Sequence, residues 1–213
     1  MESAEACDTS RSPLREPAPF KSLMDLLVAS IILPVALAVM AVAALMIKIE
    51  DGGPIFYRRR VVGRNGEFDA LKLRTMRVGA DEILHRNRRL AAEFTRNFKL
   101  KNDPRVTRTG RLLRRWSIDE LPQIFNVLRC EMALVGPRMV TAPELEKYGA
   151  WSRIFSIFKP GLTGYWQVNG RQEVDYAKRV RMDIFYVQNW SLSFDLKILI
   201  RTVWKVLKRE GAY

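Results

Sequence analysis

An apolar segment near the N-terminus restricts the fold more than any other feature of the sequence. Residues 26–47 carry no charge, and a continuous helix of that length would reach about 33 Å, enough to cross a hydrocarbon core of about 30 Å. The segment is longer than the apolar part of a usual secretory signal, and no cleavage site of small residues precedes the charged residues that follow it. The sequence therefore predicts a helix that stays in contact with a membrane.

Pro34 divides this segment into two parts, each too short to cross a bilayer alone. Proline has no N–H and crowds the preceding turn of a helix, so a helix broken at Pro34 could enter the membrane and leave it on the same side. Cationic residues lie before and after the segment, which draws both ends toward the cytoplasm under the positive-inside tendency. Hydropathy alone nevertheless favours the alternative, a spanning helix with a proline kink, because membrane helices tolerate proline.

The net charge indicates an anionic partner. The 213 residues include 36 Lys and Arg and 23 Asp and Glu, which gives a formal net charge of +13. Nucleic acid, an anionic membrane surface and phosphorylated small molecules all satisfy this condition, so charge alone does not choose among them. Cys7 and Cys130 lie far apart, and His85 has no Cys or His neighbour, so the sequence predicts neither a zinc site nor a disulfide framework.

The rest of the chain predicts a mainly α fold with one small β-hairpin. Residues 1–19 are polar and aperiodic and are expected to be disordered, and an N-G turn at 63–66 would join the two strands of the hairpin. Basic amphipathic helices are predicted at 81–98 and 194–210. The last helix would lie on an anionic bilayer or pack its apolar face on the core, two nearly even alternatives between which Trp204 slightly favours membrane contact. Its basic arc holds Lys197, Arg201, Lys205 and Lys208, and its apolar arc holds Leu196, Leu199, Ile200, Val203 and Leu207.

An acidic pair, Asp119 and Glu120, follows a run of arginines. Adjacent carboxylates repel, so both stay ionised only where cations, amide donors or a bound metal offset the repulsion. The arginines supply such cations, and this pattern is typical of a phosphate-handling active site. The alternative is a helix-capping box of Ser117 and Glu120, in which Asp119 merely favours a helix N-terminus. The arginines of the run are Arg105, Arg108, Arg111, Arg114 and Arg115.

Several motifs, taken in order, resemble a known family. They are LKLRTM at 71–76, DPRVT at 103–107, SIDELPQ at 117–123, VGPR at 135–138, KPGLTG at 159–164 and YVQNWS at 186–191. With Pro34 in the apolar segment and Arg114 after Leu113, they follow the pattern of the bacterial sugar transferases, which are monotopic polyprenyl-phosphate phosphoglycosyl transferases. The resemblance runs from about residue 21 to the C-terminus.

This resemblance implies an enzyme that moves a sugar 1-phosphate from a UDP-sugar to polyprenyl (undecaprenyl) phosphate, releases UMP and requires Mg²⁺. It would act on the cytoplasmic face of the bacterial inner membrane, at the first membrane step of exopolysaccharide or other glycoconjugate synthesis. The resemblance makes Asp119 the nucleophile that carries the phosphosugar as a covalent intermediate. Glu120 would help to hold Mg²⁺ or assist the acceptor, so Asp119 and Glu120 are the expected catalytic and metal-binding residues.

The resemblance also implies the rest of the site and the domain plan. It favours the re-entrant helix, and the expected fold is a membrane-associated α+β domain. Its parts would be a disordered tail at 1–19, a re-entrant membrane helix at 20–50 broken at Pro34, and a cytoplasmic catalytic domain with interfacial helices at 51–213. The phosphate-binding residues would be Lys72, Arg74, Arg114, Arg138 and Arg171, with Asp183 and Pro137 in supporting roles.

The chain departs from the family pattern at three positions. Met139 stands where a second proline is common, Cys130 where glycine is frequent, and Leu33 where a serine often precedes the proline. None of these changes removes an expected catalytic group. Leu33 does alter the predicted break, because a serine hydroxyl could satisfy a carbonyl freed by Pro34 and leucine cannot.

Two other classes of protein compete with the enzyme. A membrane protein that binds nucleic acid would explain the charge, but the sequence shows no recognisable reading helix and predicts no nucleic-acid partner. A non-catalytic membrane scaffold of a glycan assembly complex would keep the membrane helices and lose the acidic pair, which is intact here. The expected partners are therefore a UDP-sugar, polyprenyl phosphate and membrane lipids. The sequence leaves open the sugar (galactose, glucose or a modified sugar), the glycan pathway and whether the chain forms a homo-oligomer.

Overall fold

The computed structural model describes residues 17–88, 91–92, 100, 103–170 and 175–208. This part of the chain is mostly helical and contains an antiparallel hairpin, so the predicted mainly α fold with a small hairpin is confirmed. A second, parallel pair of strands is an addition that the sequence did not predict. Residues 1–16 of the expected tail, Arg171 and part of the helix expected at 81–98 lie outside the described residues.

Among the described elements, the helices outnumber the strands. The helices are α1 (Pro19–Asp51), α2 (Ala80–Arg86), α3 (Arg108–Arg115), α4 (Gln123–Leu128), α5 (Ala142–Leu145), α6 (Ile154–Ile157), α7 (Tyr165–Asn169), α8 (Tyr176–Gln188) and α9 (Leu192–Lys208). Two 3₁₀ helices cover Ile118–Glu120 and Glu146–Arg153. The strands are β1 (Phe56–Gly63), β2 (Gly66–Leu73), β3 (Ala133–Val135) and β4 (Gly161–Thr163).

Helix α1 continues through Pro34 as a single helix of 33 residues. The expected break is therefore not present as a non-helical segment. An interior proline removes one backbone hydrogen bond and crowds the turn before it, and a long apolar helix tolerates that loss. The helix begins with Pro19 and is capped after Asp51 by Gly52, whose φ of 68° is the left-handed conformation typical of a helix C-terminus.

Helix α1 packs on the rest of the protein along its whole length. Its buried apolar residues recur on one face, from Ala29 through Ala36 and Met40 to Ile47. The opposite face is apolar and exposed, with Leu27, Ile31, Val35, Val42 and Leu45 each more than half exposed. This is the one helix among the described residues that is long and apolar enough to cross a membrane, as judged by length and composition.

Both ends of α1 are tied to the same domain. Near its start, Lys21 pairs with Asp195 at 2.5 Å, and at its end Asp51 pairs with Arg74. A helix that crosses a bilayer at right angles would carry one end away from a domain on the other side, whereas α1 keeps both ends and its middle on the domain. The re-entrant arrangement stays a prediction.

The β1–β2 hairpin forms around the turn that the sequence predicts, with Gly63 opposite Gly66. Directly opposed residues of an antiparallel pair point to the same face of the sheet. Val61 and Phe68 oppose each other and are buried in the core shared with α1 and α4. Because side chains alternate along a strand, Arg59 and Lys72 lie on that same, inward face.

Strands β3 and β4 are parallel and only three residues long. Their backbones approach so closely that a Cβ atom added to Gly161 would lie 2.2 Å from the backbone N of Gly136. Only glycine fits this contact without a shift of the chain. The pairing places the loop that carries Pro137 and Arg138 beside the start of β4, where the Gly161 N–H donates to the Pro137 carbonyl at 2.9 Å.

Helix α9 packs against the core along a narrow face that contains both polar and apolar residues. Asp195 and Ile198 are 3% and 1% exposed, and Leu199 packs against the core. Phe194 also packs against the core, whereas most of the predicted apolar arc faces outward, which excludes the alternative in which that arc covers the core. The outward residues are Leu196, Ile200, Val203, Trp204 and Leu207, which are 55–64% exposed.

Candidate active site

The acidic pair lies on the 3₁₀ turn Ile118–Glu120, between α3 and α4. Ser117 precedes this turn with a φ of 56°, a left-handed conformation that a residue with a side chain adopts at a cost. Its side chain makes no capping hydrogen bond to the turn. The capping box that Ser117 and Glu120 could have formed is therefore absent, and the interpretation of the motif as a simple helix cap loses its main support.

Asp119 is nearly buried, with 9% of its surface exposed. The pKa of its carboxyl is raised to about 6, mainly by burial and then by the charge of Glu120, while Lys72 and Arg114 act in the opposite direction. The nearby cations predicted from the sequence are present, but they do not outweigh burial. Above its pKa the carboxylate is mostly ionised and poorly solvated, which is a favourable state for a nucleophile.

Lys72 lies beside the acidic pair because strand β2 is fixed to helix α4. Its Nζ donates to Oε1 of Glu120 at 2.6 Å. The fully buried Asn126 of α4 holds the strand: its Oδ1 accepts from the Leu71 N–H at 3.0 Å and its Nδ2 donates to the Asp69 carbonyl at 2.9 Å. A buried amide whose donors and acceptor are satisfied fixes the register of the strand, and hence the position of Lys72.

Arg114 reaches the site through the close docking of α3. A Cβ atom added to Gly110 would lie 2.1 Å from the Thr75 carbonyl oxygen, so α3 can approach the chain after β2 only with glycine there. Thr107 donates its N–H to the same carbonyl at 3.0 Å. The Arg114 Nε donates to the Thr75 hydroxyl at 2.9 Å, and the charge of Arg114 acts on the carboxyl of Asp119.

Asp183 holds the backbone of Arg138 in place. The Arg138 backbone N–H donates to Oδ2 of Asp183 at 3.2 Å, and the Tyr148 hydroxyl donates to the same oxygen at 2.7 Å. Asp183 is fully buried, and burial raises the pKa of its carboxyl to about 7. Asp183 therefore contacts the loop that carries Arg138 and lies away from the solvent. Its supporting role, like that of Pro137 in the same loop, stays a prediction.

A cleft of about 100 Å³ brings these parts together. It is lined by Lys72 from β2, Glu120 from the 3₁₀ turn and Arg138 from the loop after β3, three residues that the sequence had selected. The volume is below the roughly 300–1,000 Å³ of sites for drug-sized ligands, so it suits the charged end of a substrate better than a whole nucleotide sugar. The other lining residues are Arg59, Met139, Gly161, Trp166 and Gln167.

Arg74 does not join this cleft, contrary to the expectation from the sequence. Its guanidinium binds the carboxylate of Asp51 and donates to the carbonyls of Pro54 and Met76, and the residue is 8% exposed. Strand β2 ends at Leu73, so the alternation that would have placed positions 72 and 74 on one face stops between them. Arg74 anchors the end of α1. Arg171 lies outside the described residues.

A larger cleft, of about 360 Å³, lies near the end of α1. Its two carboxylates are already engaged. Glu50 accepts the backbone N–H groups of Arg108 and Thr109 at 2.8 and 2.9 Å, and Asp51 binds Arg74. These contacts cap α3 and fix α1, so this cleft is a junction between elements.

The acidic pair fits a magnesium ion of the kind the family resemblance implies. Mg²⁺ is bound through one or two carboxylates together with water and substrate phosphates. Asp119 and Glu120 are adjacent, and their mutual repulsion, which contributes to the raised pKa of Asp119, would be relieved by a cation. Across the described ranges, three or more acidic, His or Cys side chains nowhere cluster as a metal cage would require. The pair would thus share the ion with a phosphorylated substrate.

Comparison with known proteins places the chain in a family. The model of the bacterial sugar transferase family matches residues 17–209, and the chain belongs to that family. It is 46% identical over 198 residues to a UDP-galactose-lipid carrier transferase of Erwinia amylovora, with 91% of this chain and 41% of the relative covered. It is 49% identical over 168 residues to an undecaprenyl-phosphate galactose phosphotransferase of Salmonella typhimurium, with 76% of this chain and 35% of the relative covered.

A third relative has a length similar to that of this chain. The exopolysaccharide production protein ExoY of Rhizobium meliloti is 45% identical over 202 residues, with 91% of this chain and 88% of the relative covered. The chain thus spans less than half of the two longer relatives. The similarity covers the acidic pair, the hairpin and the loops around the cleft, because the matched family segment includes all of them.

Proposed function

We propose that the protein transfers a sugar 1-phosphate from a UDP-sugar to undecaprenyl phosphate, as the first membrane step of exopolysaccharide or related glycan synthesis. The observation that carries this proposal is the cleft in which Lys72, Glu120 and Arg138 meet beside the buried Asp119, in a chain of the bacterial sugar transferase family. Cationic side chains around a carboxylate pair suit a diphosphate that gathers negative charge as it reacts. The names of two relatives, a UDP-galactose-lipid carrier transferase and an undecaprenyl-phosphate galactose phosphotransferase, support the same chemistry.

In the proposed mechanism Asp119 is the nucleophile. Its carboxylate oxygen forms a bond to the phosphorus nearest the sugar, the bond from that phosphorus to the bridging oxygen breaks, and UMP leaves with the electron pair. An oxygen of the lipid phosphate then bonds to the same phosphorus and releases Asp119 as a carboxylate. Lys72 and Arg138 hold phosphate oxygens, and Arg114 offsets the charge beside Asp119. Bound Mg²⁺, held by Asp119 and Glu120, would supply further charge neutralisation.

The exposed apolar surface supports an enzyme that acts at a membrane surface. The outward face of α1 and the outward residues of α9 are both apolar, and Trp204 lies at the boundary with basic side chains of α9, a composition typical of interfacial helices. A soluble nucleotide sugar and a lipid phosphate can meet only at the interface. We infer that the domain sits on the cytoplasmic face of the inner membrane, with α1 entering and leaving on that side.

Two half-reactions provide the test of this function. With Mg²⁺ and the correct UDP-sugar but no lipid phosphate, the purified protein should release at most about one UMP per site and gain the mass of a sugar phosphate on Asp119. UDP-galactose is the first donor to test, followed by UDP-glucose. Release of UMP only when lipid phosphate is present would favour direct displacement in a ternary complex. Failure to release UMP under any of these conditions would favour the non-catalytic scaffold.

Topology has a separate test. In a background without Cys7 and Cys130, cysteines introduced by Arg11→Cys and Arg60→Cys should both resist an impermeant thiol reagent in intact cells. Labelling of position 11 alone would contradict the re-entrant helix and indicate a spanning one.

A further inference from the structure

Arg59 enters the cleft although no motif of the sequence selects it. In the hairpin Arg59 opposes Ala70 and Lys72 opposes Tyr57, so Arg59 and Lys72 are diagonal neighbours on the inward face. The Arg59 side chain is 29% exposed and lines the cleft with Lys72 and Arg138. It is therefore placed to touch a ligand that those two residues touch.

A buried carboxylate holds Arg59 in this position. Glu144 is fully buried, and its Oε2 accepts from the Arg59 guanidinium at 2.8 Å and from the Thr141 N–H at 3.0 Å. Its Oε1 lies 3.5 Å from Nη2 of Arg138. Although burial acts to raise the pKa of Glu144, the charges of the two arginines and the Thr141 hydrogen bonds hold it below its ordinary value. Glu144 is thus an ionised group shared by two arginines.

The charges and hydrogen bonds around the cleft leave room for an anion. Lys72 is paired with Glu120, whereas Arg59 and Arg138 share the single charge of Glu144. Nη1 of Arg138 and Nε1 of Trp166 are buried donors with no hydrogen-bond partner in the part of the chain that the structure describes. Buried donors are normally satisfied, so unpaired donors on two cleft residues indicate a ligand with acceptor oxygens.

We propose that Arg59 is a further phosphate-binding residue of this site and that Glu144 is a positioning residue that holds Arg59 and Arg138 at a fixed spacing. The inference rests on the proposed function for the identity of the phosphate. That phosphate is either the diphosphate of the UDP-sugar or the phosphate of the lipid acceptor. Two guanidiniums fixed by one carboxylate present several donors in a rigid arrangement, which suits the three oxygens of a phosphoryl group.

The test compares Arg59→Gln with Arg60→Gln. Both changes remove one positive charge from the same strand, but Arg60 is 61% exposed and pairs with Glu67 and Asp69 at the surface. We measure KM for the UDP-sugar and KM for the lipid phosphate under steady-state turnover with both substrates present. Arg59→Gln should raise one of these KM values about tenfold or more, as expected for the loss of a hydrogen-bonded ion pair, and Arg60→Gln should raise neither. The KM value that changes identifies which phosphate Arg59 binds.

Binding without turnover separates this inference from the proposed function. Calorimetric titration with UDP and with a short-chain polyprenyl phosphate reports phosphate binding even if no sugar phosphate is transferred. If the wild-type protein shows no turnover but binds one of these ligands, and Arg59→Gln weakens that binding, the proposed function is overturned and the role of Arg59 is supported. Turnover and binding equal to those of Arg60→Gln would overturn the role of Arg59 alone. Arg59→Lys, which keeps the charge beside Glu144, should restore part of the affinity and checks against a folding defect.

The role of Glu144 is tested by coupling. Glu144→Gln keeps the size of the side chain and one acceptor for Thr141, but it removes the charge that fixes the two guanidiniums. If Glu144 positions Arg59, the effect of Arg59→Gln on KM should be several-fold smaller in the Glu144→Gln background than in the wild type. Equal effects in the two backgrounds would show that Glu144 serves stability only and would overturn its positioning role.

Discussion

Two lysine–carboxylate pairs in this protein have opposite environments. Lys21 and Asp195 join the start of α1 to α9, are 6% and 3% exposed, and form a closed network in which Asp195 also accepts from the Tyr186 hydroxyl at 2.7 Å and the Trp190 indole at 3.2 Å. Lys72 and Glu120 form an equally short pair, but their side chains are 20% and 29% exposed at the edge of a cleft. The first pair is saturated by protein groups, and the second is open to a ligand.

This difference assigns the first pair to the fold and, under the proposed function, the second to chemistry. Removing one partner of a buried, saturated pair leaves a buried charge without its counter-charge. A partly exposed pair loses less when it is broken, because water can replace the partner. Under the proposed function, a substrate can displace or join the Lys72–Glu120 contact without unfolding the domain, whereas the Lys21–Asp195 contact must persist.

The largest expected effect is at Asp119, beside the cleft that contains the partly exposed Lys72–Glu120 pair. Asp119→Asn keeps the shape of the side chain and removes the anionic nucleophile, so turnover should fall by at least about 10³-fold, and the covalent adduct should disappear. Turnover rates are measured by UMP release, and the covalent adduct is detected by intact-protein mass spectrometry. Near wild-type turnover in this variant would remove Asp119 from the mechanism.

A pair of lysine substitutions tests the comparison directly. Lys21→Met leaves Asp195 buried without its cation and should lower the free energy of unfolding by about 3–5 kcal/mol. Lys72→Met should lower it by about 1 kcal/mol or less, yet reduce turnover by at least about tenfold because a phosphate contact is lost. Denaturant titration and UMP release are measured on both variants. Similar losses of stability in the two would mean that the pairs do not differ as their exposure indicates.

The pH dependence should show the cost of burying Asp119. Because the pKa of Asp119 is raised to about 6, the first half-reaction should slow about tenfold for each pH unit below that value. The folded state holds this proton more tightly than the unfolded state, so the stability contribution of Asp119 is present at low pH and lost as pH rises through about 6. Asp119→Asn should therefore stabilise the protein more at about pH 8 than at about pH 5, a difference measured by denaturant titration. An equal effect at both pH values would contradict the raised pKa.

The smallest expected effect concerns backbone strain away from the site. Cys130 has a φ of 59°, as Ser117 does beside the acidic pair with a φ of 56°. Cys130→Gly should raise the free energy of unfolding by about 0.5–1 kcal/mol, because glycine adopts this conformation without strain, and it should leave turnover unchanged. Ser117→Gly should relieve similar strain but lower turnover by loosening the turn that carries Asp119. Lower stability of Cys130→Gly would indicate that side-chain contacts outweigh the strain.

The sequence by itself determined the features that depend on neighbouring residues. The length and apolar character of α1, the hairpin around the turn at Gly63–Gly66 and the motif that carries Asp119 and Glu120 all follow from patterns within about 20 residues. The predicted location of the active site also followed from such patterns together with the family resemblance.

Only the tertiary structure decided what depends on residues far apart in the chain. Arg74, in a motif beside Lys72, binds Asp51, whereas Arg59 reaches the cleft through strand register and is held by Glu144, 85 positions along the chain. The parallel pair of β3 and β4 is too short to show a period in sequence, and it forms because two glycines allow their backbones to meet. The raised pKa of Asp119 likewise arises mainly from burial, and burial is produced by packing that no local pattern encodes.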